Sequence, residues 1–95
     1  MTAVREIPFV RWHCRINNPK GVHCRVAGKL TEIIASHDAE VQICHQDEQI
    51  DCTSILEILS LALIRGSRVE FLAHGSEADK VQAAINQLLS GQALS

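Results

Sequence analysis

The sequence predicts an α+β fold in which an antiparallel four-stranded sheet is covered on one face by three helices. The chain has 95 residues, of which 46% are apolar and 21% charged, so it suits one globular domain with a modest core. Four short segments alternate apolar and polar residues, as half-buried strands do. Three other segments have helical periodicity. The resulting order is β-α-β-β-α-β-α, a two-layer sandwich over residues 1–95 with residues 1–8 as an N-terminal extension.

The first strand is predicted over residues 9–16, where apolar and charged residues alternate. Its buried face carries Val10, Trp12, Cys14 and Ile16. Residues 17–21, Asn-Asn-Pro-Lys-Gly, have the composition of a turn. Apolar residues then recur at helical spacing and predict the first helix over residues 24–36. Glycine is unfavourable inside a helix, so we expect Gly28 to allow another backbone segment close to this helix.

The second strand is predicted over residues 39–43, and residues 50–52 form a short returning strand after a polar turn at residues 46–49. Residues 54–57, Ser-Ile-Leu-Glu, match a capping box. In this motif the serine side chain accepts from the glutamate N–H, and the glutamate side chain returns to the serine N–H. A short second helix is therefore predicted from this point to about Leu63.

The fourth strand is predicted over residues 69–73, where apolar residues alternate again. Residues 76–79, Ser-Glu-Ala-Asp, begin the third helix with an N-cap and an acidic first turn. Gly91 is predicted to end this helix. Its core face carries Ala78, Val81, Ile85, Leu88 and Leu89.

Charge is divided unevenly along the chain. The formal net charge is −2, yet residues 1–35 carry six Lys and Arg against two acidic residues, while residues 36–95 carry three against nine. A partner that seeks positive charge should therefore approach the N-terminal part. With three aromatic residues and no basic stripe among them, nucleic-acid binding is not predicted.

No apolar run reaches the length of a membrane span, and charges together with Pro8 interrupt the N-terminus where a signal peptide is apolar. We therefore expect a cytoplasmic protein that does not insert into a membrane and whose four cysteines stay reduced. Cysteine and histidine are adjacent at three places, but neighbours on a strand point to opposite faces. Neither a metal site nor a cofactor is predicted.

His23 is the main candidate for chemistry, because it lies between the turn and the first helix, at or beside the N-cap. A helix start offers unpaired N–H donors and partial positive charge, which stabilise an anion, disfavour imidazolium and leave one ring nitrogen free as a nucleophile. Arg25 adds a planar donor suited to phosphate oxygens. The residues alone leave two interpretations open: a phosphoryl-accepting histidine, or a surface histidine that caps a helix beside a solvated arginine.

Residues 21–27, Gly-Val-His-Cys-Arg-Val-Ala, resemble the G-[IVL]-H-A-R-P-A signature of HPr, the histidine-containing phosphocarrier of the bacterial phosphoenolpyruvate-dependent phosphotransferase system. Residues 54–61, Ser-Ile-Leu-Glu-Ile-Leu-Ser-Leu, are similar to the family's regulatory-serine segment, S-I-M-G-[VL]-[ML]-[ST]-L. The two segments have the family's separation, and the resemblance covers roughly residues 9–90. On these motifs the chain is identified as a divergent member of the HPr family, whose fold is an open-faced β-sandwich.

The resemblance implies a role for individual residues. His23 matches the phosphoryl acceptor, which the family modifies at Nδ1, and Arg25 matches the arginine that stabilises the phosphate. Ser54 matches the serine that a dedicated HPr kinase modifies in some bacteria. The positions that match the apolar docking patch around the site are Cys24, Leu56 and Leu59.

The implied function is to carry a phosphoryl group from enzyme I to enzyme IIA components during sugar uptake, as a monomer without independent turnover. Two alternatives stay open. One is a signalling paralogue of the nitrogen-related phosphotransferase branch, and the other is an interaction module that keeps the fold without being phosphorylated.

Three residues depart from the family pattern. Val26 replaces a proline and is expected to loosen the site, and Cys24 replaces an alanine and adds a thiol beside the histidine. Glu57 replaces a glycine, which completes the capping box and puts negative charge beside any phosphate on Ser54. Ser54 is therefore open to two interpretations, a regulatory site and a plain N-cap.

Overall fold

The computed structural model describes residues 8–90, which form seven elements in the predicted order. The strands are β1 (Phe9–Arg15), β2 (Glu40–His45), β3 (Glu48–Asp51) and β4 (Arg68–His74), and the helices are α1 (Cys24–Ala35), α2 (Ile55–Ser60) and α3 (Ala78–Leu89). Residues 1–7 of the predicted extension and the predicted helix end at Gly91 lie outside the described residues. Within residues 8–90, none of the helices combines the length and the apolar composition that crossing a bilayer requires.

The four strands form one antiparallel sheet in the order β1-β4-β2-β3, which confirms the predicted sheet. At its centre, Phe71 of β4 lies opposite Trp12 on one side and Ile43 on the other. The rings of Trp12 and Phe71 stack with their centroids 5.2 Å apart. A shift by one residue would turn the apolar side chains of a strand towards solvent, so burial of these residues specifies the register.

The helices cover one face of the sheet and enclose the core between the two layers. Both α1 and α3 present an apolar stripe to this core, in which Leu30 and Ile85 are almost completely buried. The Trp12 indole N–H donates to Asn86 Oδ1 at 2.9 Å. This bond satisfies the polar atom of a buried aromatic side chain and connects β1 to α3.

The hairpin between β2 and β3 is tighter than predicted. Only Gln46 and Asp47 form the turn, and Glu48 and Gln49 belong to β3. Gln46 has a φ of 57°, the left-handed conformation that a two-residue hairpin turn needs. Because β3 is a mostly exposed edge strand, its polar residues look like a longer turn in the sequence.

Helix α2 ends at Ser60, three residues earlier than predicted. Ala62 has a φ of 52°, which stops the helix, and its neighbours Leu61 and Leu63 are both buried. These two leucines extend the apolar pattern in the sequence, because burial in an irregular segment looks the same as burial on a helix.

The N-terminal cap of α2 confirms half of the predicted capping box, and that of α3 differs from the prediction. Ser54 Oγ accepts from the Glu57 N–H at 3.4 Å, but within residues 8–90 no return bond joins the Glu57 carboxylate to the Ser54 N–H. The N-cap of α3 is Glu77, whose side chain makes no capping bond. Instead, Glu77 Oε1 accepts from the Asp38 N–H at 2.8 Å, and the Ser76 hydroxyl donates to the Asp38 carboxylate. The side chains of Ser76 and Glu77, which the local sequence pattern assigns to the N-cap and first turn of α3, are thus hydrogen-bonded to the distant Asp38 instead.

Gly28 does not admit another backbone segment, so the expectation from the sequence is wrong at this position. Within residues 8–90, a methyl group at Gly28 would meet only Ile55 Cδ1, at the ordinary van der Waals distance of 3.9 Å. The close backbone approach in this part of the fold occurs at Gly21 instead.

Candidate functional site

The loop between β1 and α1, residues 16–23, is anchored by backbone hydrogen bonds to the chain between α2 and β4. The Ile16 N–H donates to the Ser67 carbonyl at 2.9 Å, and the Val22 N–H donates to the Leu63 carbonyl at 2.9 Å. These bonds lie at the two ends of the loop. His23, which follows Val22 at the start of α1, is therefore held by a fixed backbone.

Gly21 allows this loop to pass close to the segment after α2. Its φ of 68° lies in the left-handed region that glycine tolerates and other residues disfavour. A methyl group on Gly21 would lie 2.8 Å from Ile64 Cα, and nearer still to the Leu63 carbonyl oxygen. The loop needs glycine here for its dihedral angle and for space, and this path leads the chain into His23.

Two asparagines attach the loop to the C-terminal end of α3. The Asn17 N–H donates to the Leu89 carbonyl at 3.0 Å, and Asn18 Nδ2 donates to the Leu88 carbonyl at 3.1 Å. Asn18 is 4% exposed, and its Oδ1 has no hydrogen-bond partner within residues 8–90. The turn composition predicts a reversal of the chain here, but it carries no signal for attachment to a helix some 70 residues later.

His23 is the N-cap residue of α1, as the sequence predicts. Its backbone is extended, with φ −99° and ψ −174°, and its Nδ1 accepts a hydrogen bond from the Arg25 N–H at 3.3 Å. A nitrogen that accepts carries no proton, so the neutral ring holds its proton on Nε2. The Nδ1 lone pair thus faces the first turn of a 12-residue helix, where unpaired N–H groups and the helix dipole stabilise negative charge.

A cavity of about 200 Å³ borders His23 and concentrates positive charge. Its lining residues come from the loop, α1 and α3 and are Asn18, Pro19, Lys20, His23, Arg25, Val26, Lys29 and Leu88. None of them is acidic, and within residues 8–90 neither the arginine nor the two lysines forms an ion pair. Uncompensated cations beside a helix N-terminus favour an anion in this cavity. The sequence motif contains Arg25 only, although Lys29 is one helical turn further along the same face of α1.

The residues predicted to contact partners lie on α2 and at the start of α1. Leu56 is 77% exposed, whereas Leu59 is half-buried and packs against the core. Cys24 is exposed and follows His23 directly. Two further exposed apolar side chains, Ile55 and Ile64, were not predicted, because their positions resemble core positions in the sequence. Leu56, Ile55 and Ile64 thus add exposed apolar area to α2 and to the segment that follows it.

All four cysteines are free thiols, and within residues 8–90 the Cys, His, Asp and Glu side chains do not gather into a group of three that could hold a metal ion.

Burial raises the pKa of the Cys14 thiol to about 11. Burial, with smaller contributions from Asp51 and Cys44, raises the pKa of Cys52 to about 12. Folding therefore keeps both thiols protonated above their ordinary pKa of 9.0, so their contribution to stability is complete below about pH 9 and is lost as the pH rises towards 12.

Thiol labelling should separate these cysteines in the folded protein. At about pH 8 an alkylating reagent is expected to modify the exposed Cys24 first, the half-buried Cys14 more slowly and the buried Cys52 only after unfolding, because alkylation needs a thiolate and open access. Mass spectrometry of digests taken over time measures the order, and Cys24→Ser should remove the fast phase. Fast labelling of Cys52 in the native protein would contradict its burial.

Known proteins resemble this chain along most of its length. A family model described as PTS HPr component phosphorylation site matches residues 11–91. Phosphocarrier protein NPr of Klebsiella oxytoca is 29% identical over 82 residues, which cover 85% of this chain and 91% of that protein. Phosphocarrier protein HPr of Neisseria meningitidis is 26% identical over 76 residues, which cover 80% of this chain and 85% of that protein. Subunit DhaM, the phosphoryl donor of a PEP-dependent dihydroxyacetone kinase in Providencia stuartii, is 29% identical over 73 residues, which cover 77% of this chain but 15% of DhaM.

Solved structures share the fold. The phosphocarrier protein HPr of Bacillus anthracis superimposes with a TM-score of 0.80 at 22% identity, over 85% of this chain and 96% of that one. HPr-C-His of Thermoanaerobacter tengcongensis gives a TM-score of 0.80 at 22% identity, over 90% of this chain and 99% of that one. These likenesses concern the fold, and they confirm the predicted open-faced sandwich.

Proposed function

The chain belongs to the HPr family of phosphotransferase-system phosphocarriers, and from this membership we propose that it accepts a phosphoryl group on His23 Nδ1 and passes it on. The position of His23 carries this proposal, because its Nδ1 lone pair faces the start of α1 beside a cavity lined by Lys20, Arg25 and Lys29. A phosphoryl group on Nδ1 would place its negative charge where the helix terminus and the cations stabilise it.

Transfer would proceed by in-line approach of His23 Nδ1 to the phosphorus of a donor phosphohistidine. A bond from Nδ1 to phosphorus forms while the donor's nitrogen–phosphorus bond breaks. A donor ring protonated on its other nitrogen leaves as neutral imidazole, and His23 keeps its proton on Nε2, so no proton has to cross between the rings. At this step Nδ1 gives up its hydrogen bond from the Arg25 N–H, and that N–H becomes available to a phosphoryl oxygen. The protein thus contributes positioning and electrostatic stabilisation.

We propose enzyme I as the phosphoryl donor and enzyme IIA-type proteins as the acceptors. The uncompensated cations around the cavity would attract acidic partner surfaces and orient them towards His23. The exposed Leu56, together with Cys24 and the exposed part of Leu59, would supply the apolar contact of the same docking surface. A small carrier that meets several partners needs such a surface around one reactive residue.

The nitrogen-related branch of the phosphotransferase system is the second candidate for the role of this carrier. One observation favours retaining it: an NPr phosphocarrier is as similar to this chain as an HPr is. Both candidates use His23 in the same way, and they differ in the acceptor. An interaction module that is never phosphorylated is the third possibility, and it requires His23 to act only as a helix cap.

Phosphoryl transfer from phosphoenolpyruvate tests these possibilities directly. The protein is incubated with phosphoenolpyruvate and enzyme I, and intact mass should show the gain of one acid-labile phosphoryl group. The phosphorylated protein is then offered to sugar-specific and nitrogen-related IIA proteins, and the faster acceptor identifies the branch. Absence of phosphorylation with several enzyme I homologues would contradict the carrier function and leave the interaction module.

We propose that Ser54 serves as a helix cap rather than as a regulatory phosphorylation site. Ser54 is half-buried, and its Oγ accepts from the Glu57 N–H at 3.4 Å, which satisfies one orphan donor of α2. Phosphorylation of Ser54 would disrupt the hydrogen bond from the Glu57 N–H to Oγ. The phosphate would also lie beside the Glu57 carboxylate in the first turn of α2. Repulsion between the two negative groups disfavours that product.

A kinase assay measures the effect of Glu57. With an HPr kinase, Glu57→Gln is expected to be phosphorylated about two- to fivefold faster than wild type, because it removes one exposed negative charge and keeps the side-chain length. Glu57→Gly restores the family residue and should also react faster, and Ser54→Ala serves as the blank. Equal rates for wild type and Glu57→Gln would refute the repulsion.

A further inference from the structure

We propose that the backbone N–H of Val26 is a third amide donor to the phosphoryl group on His23, a donor that a proline at this position lacks. The inference rests on the proposed function, since it concerns how the phosphorylated state is held. Replacement of proline by Val26 is expected to make the first turn of α1 less rigid. The proposed hydrogen bond gives the same replacement a favourable effect on the phosphorylated state.

The first turn of α1 has its N–H groups unevenly occupied. The Ala27 N–H donates to the His23 carbonyl at 2.8 Å, and the Arg25 N–H donates to His23 Nδ1 at 3.3 Å. Within residues 8–90 the N–H groups of Cys24 and Val26 have no hydrogen-bond acceptor. Val26 also lines the cavity that borders His23, so it lies next to the site where the phosphoryl group is proposed to be held.

A phosphoryl group on Nδ1 would bring the missing acceptors. It has three terminal oxygens that accept strongly, and the residues after the N-cap supply the N–H groups of Cys24, Arg25 and Val26. These three groups point along the helix axis towards its N-terminus, in the direction of the modified ring. With proline in the third place only two amides would remain, so valine lets each phosphoryl oxygen have its own backbone donor.

The Val26 side chain contributes differently from its amide. Val26 is 7% exposed and belongs to the hydrophobic core under α1. Loss of the side chain would therefore affect packing, whereas loss of the N–H would affect the phosphorylated state alone. This difference allows the two contributions to be measured separately.

Amide NMR of the wild-type protein gives the direct test. His23 is phosphorylated chemically with phosphoramidate, which transfers its phosphoryl group with ammonia as the leaving group, so the result does not depend on enzyme I. The amide proton of Val26 should move downfield on phosphorylation, together with those of Cys24 and Arg25, while that of Lys80 in α3 stays in place. A Val26 amide that moves no more than Lys80, in protein shown by mass to be phosphorylated, would overturn the inference. If phosphoramidate phosphorylates the protein but enzyme I with phosphoenolpyruvate does not, that result would count against the proposed function.

The second test compares variants of Val26. For each one, the equilibrium constant for phosphoryl exchange with phosphorylated enzyme I is measured. Val26→Pro should lower this constant about tenfold relative to Val26→Ala, the low end of what a hydrogen bond to a charged group contributes, because alanine keeps the N–H and proline does not. An ester in place of the Val26 amide, introduced by chemical synthesis, keeps the side chain and should give the same loss as proline. Urea unfolding of the unphosphorylated forms checks that each is folded. Equal constants for the alanine, proline and ester forms would refute the third donor.

Discussion

Replacing His23 with alanine is expected to abolish phosphorylation by phosphoenolpyruvate and enzyme I. The Nδ1 of His23 is the ring nitrogen that faces the start of α1, and His23 lines the cavity that Lys20, Arg25 and Lys29 also line, so the substitution removes the proposed nucleophile from this positively charged site. Intact mass after incubation should show only the unmodified chain. Chemical phosphorylation with phosphoramidate should lose the same site, which separates loss of the acceptor from loss of enzyme I docking.

Two controls keep this result interpretable. His13 is 78% exposed on the open face of the sheet, 3.8 Å from Glu70, and His13→Ala should be phosphorylated at the wild-type rate. His23→Asn keeps a side chain that can cap α1, so it should be as stable as wild type while remaining unphosphorylated. Phosphorylation that persists in His23→Asn and disappears in His13→Ala would show that the acceptor is elsewhere.

Local periodicity was sufficient to predict the elements that bury one face. The alternation around Trp12 and Phe71 specifies β1 and β4, because each strand hides its apolar side chains against the same helical layer. The placement of His23 was predictable for a similar reason, since a turn followed directly by an amphipathic pattern defines a helix start within a few residues.

The errors occur where a residue's partner is distant in the chain or where a backbone angle is unusual. Gln46 and Ala62 both adopt a left-handed conformation, for which their side chains give no signal, so the hairpin turn and the end of α2 were misplaced. Ser76 is similar, since its hydroxyl bonds to Asp38 instead of capping α3. Neither the left-handed backbone angles nor the bond from Ser76 to Asp38 can be predicted from the neighbouring residues in the sequence.

The candidate site combines both kinds of information. His23, the proposed phosphoryl acceptor, and the start of α1 are close in sequence, and a motif of seven residues contains them. Its support is not local, because Asn18 bonds to the end of α3 and the Val22 N–H bonds to Leu63 after α2. The same contacts that stabilise the fold therefore hold the loop before His23, so stability and phosphoryl transfer should respond together to changes in that loop.

Gly21→Ala is expected to lower the free energy of unfolding by about 3 kcal/mol or more. Its left-handed φ of 68° disfavours alanine by about 1–2 kcal/mol, and the added methyl group would lie 2.8 Å from Ile64 Cα. Because that neighbour is backbone, the loop itself has to move, and the bond from the Val22 N–H to the Leu63 carbonyl should weaken with it. Urea unfolding measures the loss, and the rate of phosphorylation at a temperature where the variant is still folded should fall as well.

Two other glycines separate the causes of this loss. Gly66 has a φ of 92° but open space around it among the described residues, so Gly66→Ala should show the dihedral cost alone, about 1–2 kcal/mol. Gly28 lies inside α1 with only Ile55 Cδ1 at 3.9 Å, so Gly28→Ala should raise the free energy of unfolding by about 0.5–1 kcal/mol. If Gly21→Ala lost no more than Gly66→Ala, the close approach to the segment after α2 would contribute nothing, and the backbone angle alone would explain the glycine before His23.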